Sequence, residues 1–318
     1  MEISTLHENF LNEIKKLVPK KIKRTNLLVE ILSIEKEAVY RRLRGEVAFS
    51  FREIVIISQK LNISIDNIMG ITSEKSRPSH IKLTNHVEPF ETDYEMFEEY
   101  IRVLETGKEK GSQFIEASNV FPLSIIYKFD TLTRFYYFKW DYHYNNSNIL
   151  FENFHLPRRL KTLQNRNLIE SKRFNSTTFV WDPLIIQYLV NDIRFAHNMQ
   201  LMNDNAIESL KQELHDLLNY IEHIALAGYY IETNNEVNIF IANINLDTSY
   251  IYLETPMHRV SLVKAFILTA IASLDEKTFL KTKTWIQSII RTSTLISVTS
   301  EKQRIAFFET QRELVNQL

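Results

Sequence analysis

The sequence predicts a mainly α protein in two parts: a small N-terminal helical module, then a larger helical body with a small antiparallel β-sheet. Three observations predict it. Apolar residues recur at the three-and-four spacing of helices through most of the 318 residues. That pattern dissolves once, between Thr72 and Pro89, into Ser, Thr, Glu, Lys and Pro. β-Branched and aromatic residues in partly alternating runs concentrate only after Gly228. The expected organisation is therefore a first domain over 1–71, a linker over 72–89 and a second domain over 90–318.

In the first domain, Leu6, Phe10, Leu11, Ile14 and Leu17 mark one helix, closed by Pro19. Ile22, Leu27, Leu28, Ile31 and Leu32 mark a second. Ser33-Ile34 interrupts, and a third helix runs over 35–44, acidic in its first turn, basic in its last, and stopped by Gly45. Two short helices joined by so brief a turn form a helix-turn-helix. Charge adds to this. The net charge of −1 hides 14 Lys/Arg against 10 Asp/Glu in residues 1–77, and 24 against 29 in the remainder. A basic module on an acidic body is suited to a polyanion, although a merely solvated basic face has the same composition.

The run Leu28-Val29-Glu30-Ile31-Leu32-Ser33-Ile34, followed by Val39, Arg41, Arg44 and Gly45, resembles the helix-turn-helix core of the Cro/C1 (Xre) repressor family. Residues 50–69, from Ser50-Phe51-Arg52-Glu53 through Lys60-Leu61-Asn62-Ile63-Ser64 to Met69, resemble that family's fourth helix, turn and short fifth helix. The resemblance covers about residues 8–70. It implies a five-helix, lambda-repressor-like domain and sequence-specific binding to double-stranded DNA. It also implies a homodimer on an imperfect palindrome.

At about 100° per residue, Lys36, Glu37, Tyr40, Arg41 and Arg44 share one polar arc of the third helix, while Ala38, Val39 and Leu43 lie inward. Since the N-terminal part of a recognition helix reads base edges, Lys36, Glu37, Tyr40 and Arg41 are the base-reading candidates. Arg41 has the fork for guanine, and Glu37 the acceptor for a cytosine amine. Lys23, Arg24, Thr25 and Arg44 are the phosphate candidates. Arg42 departs from the family pattern, because it falls on the inward arc. It is expected to pair with Glu30 or Glu53, or to lay its stem over the core with its head exposed.

In the second domain, residues 93–104, 113–117, 123–140, 183–201 and 204–226 read as helices. In the last of these, Ile207, Leu210, Leu214, Leu217, Ile221 and Ile224 have coiled-coil spacing, and Leu218 and Ala225 widen the stripe. That suits a buried core helix or a dimer seam. Residues 229–233, 237–243 and 249–254, extended by the run from Val260, read as the small antiparallel sheet. Helices follow over 276–290 and 301–318. Seven aromatics in residues 135–144 suit core, subunit interface or an effector pocket. The body is thus expected to dimerise or to sense a small-molecule or protein effector.

Several chemistries lose their basis in the composition. The chain has no cysteine and only 5 glycines, and none of the glycine-rich phosphate or nucleophile motifs occurs. His215 and His223 are the nearest to a histidine pair, and their spacing is poor for shared ligation. Ala227-Gly228 lies inside the second domain, with no Ser/Lys dyad to cleave it. No enzyme activity, cofactor or metal is therefore expected. Glu2, Glu8 and Glu13 interrupt any signal-peptide run, and Val260–Leu274 is too short to span a membrane and contains Lys264. The expected location is the cytoplasm. The alternatives are a protein-interaction adaptor on a helix-turn-helix scaffold, or an enzyme within 90–318.

Overall fold

A computed structural model of the chain describes residues 3–61, 63, 65, 68, 89–268 and 270–318. The chain divides into two compact units, Met1–His80 and Ile81–Leu318. The expected linker, Pro89 apart, lies outside the described residues, as does most of the expected fifth helix.

The first unit contains α1 (Ile3–Leu17), α2 (Lys21–Leu32), α3 (Lys36–Leu43) and α4 (Phe51–Leu61). Their inward residues Phe10, Leu11, Ile14, Leu28, Val39 and Ile57 form one core with Phe49, Ile63 and Ile68. Phe10 meets Phe49 edge-on at 5.9 Å between ring centroids.

The second unit overturns the expected fold class. Its sheet is neither small nor purely antiparallel. It comprises β1 (Gln113–Ser118), β2 (Ser176–Trp181), β3 (Glu236–Ile241), β4 (Tyr250–Glu254), β5 (Arg259–Lys264), β6 (Ala270–Ser273) and β7 (Thr294–Leu295). These form one seven-stranded sheet in the order β6-β5-β4-β1-β2-β3-β7. β1 and β2 pair in parallel, as do β2 and β3; all other pairings are antiparallel. The parallel pairs require long crossovers. The first runs through α6 (Leu123–Ile126), α7 (Asp130–Tyr144) and α8 (Arg158–Ser171), and the second through α9 (Ile185–Asn198) and α10 (Asp204–Ala227). α5 (Glu91–Glu105) precedes the sheet, while α11 (Glu276–Ile290) and α12 (Glu301–Asn316) belong to its last third.

Alternation along the strands separates two cores. Phe114, Phe179, Trp181 and Leu253 join the larger core with α7, α9 and α10. Ile115, Ala117, Val180 and Tyr252 face Phe279, Ile286 and Ile289 of α11. Because β1 and β2 are covered on both faces, they lack the polar alternation of a half-exposed strand. That is why residues 113–117 read as helix and residues 176–181 gave no reading at all. Residues 229–233 are a turn with a single bridge, Tyr229 to Glu236, rather than a strand.

The coiled-coil-like stripe of α10 is consumed in the chain's own core, with Leu210, Leu214, Leu217 and Leu218 fully buried. Most of the aromatic run is core too: Phe135, Tyr136, Tyr137, Phe138 and Trp140 are buried, while Tyr142 is partly buried and Tyr144 exposed.

Candidate nucleic-acid interface

α2 and α3 meet through a turn at Ser33, which adopts the left-handed conformation (φ 52°, ψ 42°) and donates its backbone N–H to the Val29 carbonyl at 2.9 Å. This closes α2 and starts the three-residue turn into α3. A serine there pays the Cβ strain that glycine avoids. Ser33→Gly should therefore stabilise the first unit by about 0.5–1 kcal/mol, after the extra entropy of glycine in the unfolded chain is subtracted. Amide exchange of α2 and α3 should slow by about two- to fivefold, and unchanged or faster exchange would remove this account of the turn.

α3 is held from beneath by Val39, which is fully buried. On its outer side Lys36, Glu37, Arg41 and Arg44 are exposed and Tyr40 is partly buried. Arg44 pairs with Glu37 at 3.3 Å and with Glu46 at 2.7 Å, while Arg41 reaches Glu46 at 3.7 Å. Glu46 escaped the sequence reading because it lies beyond Gly45, outside the helical period. Gly45 has φ 79°, and the Glu46 N–H bonds back to the Arg41 carbonyl at 3.0 Å, folding Glu46 under the basic end of α3. Exposed pairs of this kind add about 0–1 kcal/mol. Their effect is on placement: two acids hold the two arginines over the outer face.

Arg42 resolves as a pair with Glu53. Its Nη2 lies 2.9 Å from Glu53 Oε1 and its Nε donates to Oε2 at 3.1 Å, while Nη1 donates to the Ala38 carbonyl at 3.1 Å. Glu53 also accepts the Ser50 N–H at 2.8 Å, and the Ser50 hydroxyl accepts the Glu53 N–H at 3.3 Å. This is a reciprocal cap on α4. Burial pushes the Glu53 carboxyl up, but the hydrogen bonds from Arg42 and Ser50 outweigh it and hold the group below its usual range. One carboxylate thus fastens α3 to the start of α4 and fixes the rotation of α3, with Arg42 turned inward.

Two phosphate candidates are corrected. Thr25 is fully buried and its hydroxyl donates to the Lys21 carbonyl at 3.0 Å, so it faces the core of the unit rather than a ligand. Arg24 donates to the carbonyls of Val18 at 2.9 Å and Pro19 at 3.3 Å. It caps the end of α1, since a helix C-terminus favours a cation. Lys23 is exposed at the start of α2.

Among the described residues no cluster of three or more His, Asp or Glu could hold a metal ion. Nor is any helix among them long and apolar enough to cross a membrane. Comparisons with curated proteins and with solved structures gave no match. Residues 8–91, which contain the α2–α3 turn and all of the outer face just described, match the BetR domain, a DNA-binding domain of helix-turn-helix type.

Proposed function

We propose that the chain is a sequence-specific DNA-binding transcriptional regulator of Cro/C1-like type whose α3 enters the major groove. Lys36, Glu37, Tyr40 and Arg41 then face base edges, and Arg44 and Lys23 meet phosphate. The observation that carries this reading is the two-sidedness of α3 within the matched domain. Val39 and Arg42 are fixed to the core and to α4, leaving four long polar side chains outward on a helix of major-groove dimensions.

On DNA, Arg41 and Arg44 exchange Glu46 and Glu37 for guanine and phosphate, so the acids set a threshold that weak, non-specific sites do not repay. The chain acts as a homodimer in the cytoplasm, on half-sites about one helical turn apart, and as a binding protein rather than an enzyme. The second unit dimerises or senses an effector. The adaptor reading retains one observation, the exposure of Phe51 and Ile22 at 78% and 71% on the first unit, because apolar side chains in water suit a protein surface.

Fluorescence anisotropy of full-length protein on duplex DNA, repeated from low to physiological salt, tests the DNA reading. Affinity should fall steeply with salt, and Lys23→Ala should reduce the log–log slope by about 1. Affinity that is flat with salt would contradict the phosphate contacts and favour the adaptor.

A further inference from the structure

The second unit holds a cavity of about 280 Å³, open to solvent at one side, between one face of its sheet and helices α5, α6 and α8. That is just below the roughly 300–1,000 Å³ typical of small-ligand sites. Phe97, Phe114, Phe121 and Leu160 make much of its wall apolar. Its polar groups include Glu116 on β1, Ser249 just before β4 and Lys264 at the end of β5. Register explains why these three converge. Glu116 lies opposite Ile251, which lies opposite Leu262, and the Ser249 carbonyl accepts the Lys264 backbone N–H at 2.9 Å. With a period of two, all three side chains share the cavity face.

The three differ in how far the chain encloses them, Lys264 being only partly buried. Ser249 is fully buried and its hydroxyl has no hydrogen-bond partner among the described residues. Glu116 is 5% exposed, makes no ion pair with Lys264, and its carboxyl has no hydrogen-bond partner among the described residues. Asp93, the other acid in the wall, is already engaged, accepting the Phe90 N–H at 2.9 Å to cap α5. Burial pushes Glu116 up to about 8 against the pull of Lys264. Burial, helped by Lys139 and opposed by Glu116 and Asp192, lowers Lys264 to about 8. Lys264 and the Ser249 hydroxyl thus bring donors to one corner of the cavity, beside a Glu116 carboxyl whose ionised form burial disfavours. A buried hydroxyl without a partner, as at Ser249, is costly, and a ligand acceptor relieves it.

We propose that this cavity binds a small amphipathic monocarboxylate, its apolar body against Phe97, Phe114 and Phe121 and its carboxylate held by Lys264, Ser249 and Glu116. This deepens the sensing role read into the second unit and rests on that reading only for its regulatory consequence.

The test is isothermal calorimetry of the full chain near pH 7 with octanoate, and with octan-1-ol and octylamine as probes of equal length. Octanoate should bind about tenfold or more tightly than either, because only it brings a negative charge to the Lys264 ammonium. Lys264→Met should lower octanoate affinity about tenfold, and Ser249→Ala, which removes one small hydroxyl from an intact fold, about threefold. Octanoate binding no better than octan-1-ol, or unchanged by both variants, overturns the proposal. Tightest binding of octylamine also overturns it, by making Glu116 a cation site. Octanoate binding that leaves DNA affinity unchanged would keep the ligand and remove the sensing role. DNA selection without octanoate binding would keep the regulator and remove the ligand.

Discussion

Arg42→Ala is expected to loosen the first unit by about 2–3 kcal/mol. Breaking a buried pair costs about 3–5 kcal/mol, and here the two side chains retain 19% and 14% exposure, which places the effect below that range. The loss comes from Glu53, left mostly buried with only its cap on Ser50, and from the Ala38 carbonyl, which loses a donor. Arg42→Lys should recover only part of it, since an ammonium cannot match the two-point contact with the carboxylate. The pH dependence follows from the same contact. Glu53 is held below its unfolded pKa, so its contribution is fully present above about 4.5 and is lost as pH falls through the lowered folded value. Removing Arg42 should flatten that acid limb. Hydrogen exchange of α3 and α4 amides in the full chain measures both effects, and wild-type exchange rates in Arg42→Ala would refute the structural role given to the pair.

Glu116→Gln should make the second unit more stable at pH 8 than the wild type, by an amount on the order of 4 kcal/mol. Burial raises the Glu116 pKa to about 8 in the folded chain, from 4.5. The folded state therefore holds a proton that the unfolded state has released, and stability declines as pH rises from about 4.5 to 8. Lys264 acts in the opposite sense over a higher window. Its folded pKa of about 8, against 10.5, makes stability rise from about pH 8 upward. Together these two groups contribute least to stability near pH 8, with Lys139 and Asp192 of α7 and α9 also acting on Lys264. The glutamine variant keeps the shape of the side chain without its titration, so its profile between pH 5 and 8 should be nearly flat. Urea unfolding of both proteins at pH 5 and pH 8 decides it. Parallel losses in the two would mean that Glu116 is solvated and that the cavity corner is not as described.

What the sequence revealed follows from which contacts are local. The helices of the first unit, the turn at Ser33 and the stop at Gly45 are set by residues within one or two turns of each other, and all were legible. So was the inward Arg42, whose place on the helix called for an acid partner, Glu30 or Glu53, or an exposed head. Thr25 and Arg24 misled because exposure was inferred from residue type. Thr25 bonds back to its own helix, and Arg24 turns to the end of α1, which sequence spacing does not show.

In the second unit, α11 and the main body of α10 were legible for the same reason as α1–α4. The sheet was not. Phe114-Ile115-Glu116-Ala117 has no period once both faces are covered, and its pairing with Ser176–Trp181 spans two helices and a short loop helix. The β-branched and aromatic content of Thr177-Thr178-Phe179-Val180-Trp181 was the available signal for the second strand. For the cavity, the signals were single charges inside apolar runs, Glu116 in one and Lys264 in another, which fall together only once β1, β4 and β5 are aligned.

The central claim is that the outer face of α3 reads DNA sequence. The most direct measurement is selection of bound duplexes from a random library by full-length protein, alongside the Tyr40→Ala/Arg41→Ala double variant. Neither residue belongs to the core of the first unit, so the variant should fold. The account predicts an enriched, imperfectly palindromic motif with half-sites about one helical turn apart, lost in the variant while weak, salt-sensitive binding persists. No enrichment at low salt, or the same motif from both proteins, would contradict it.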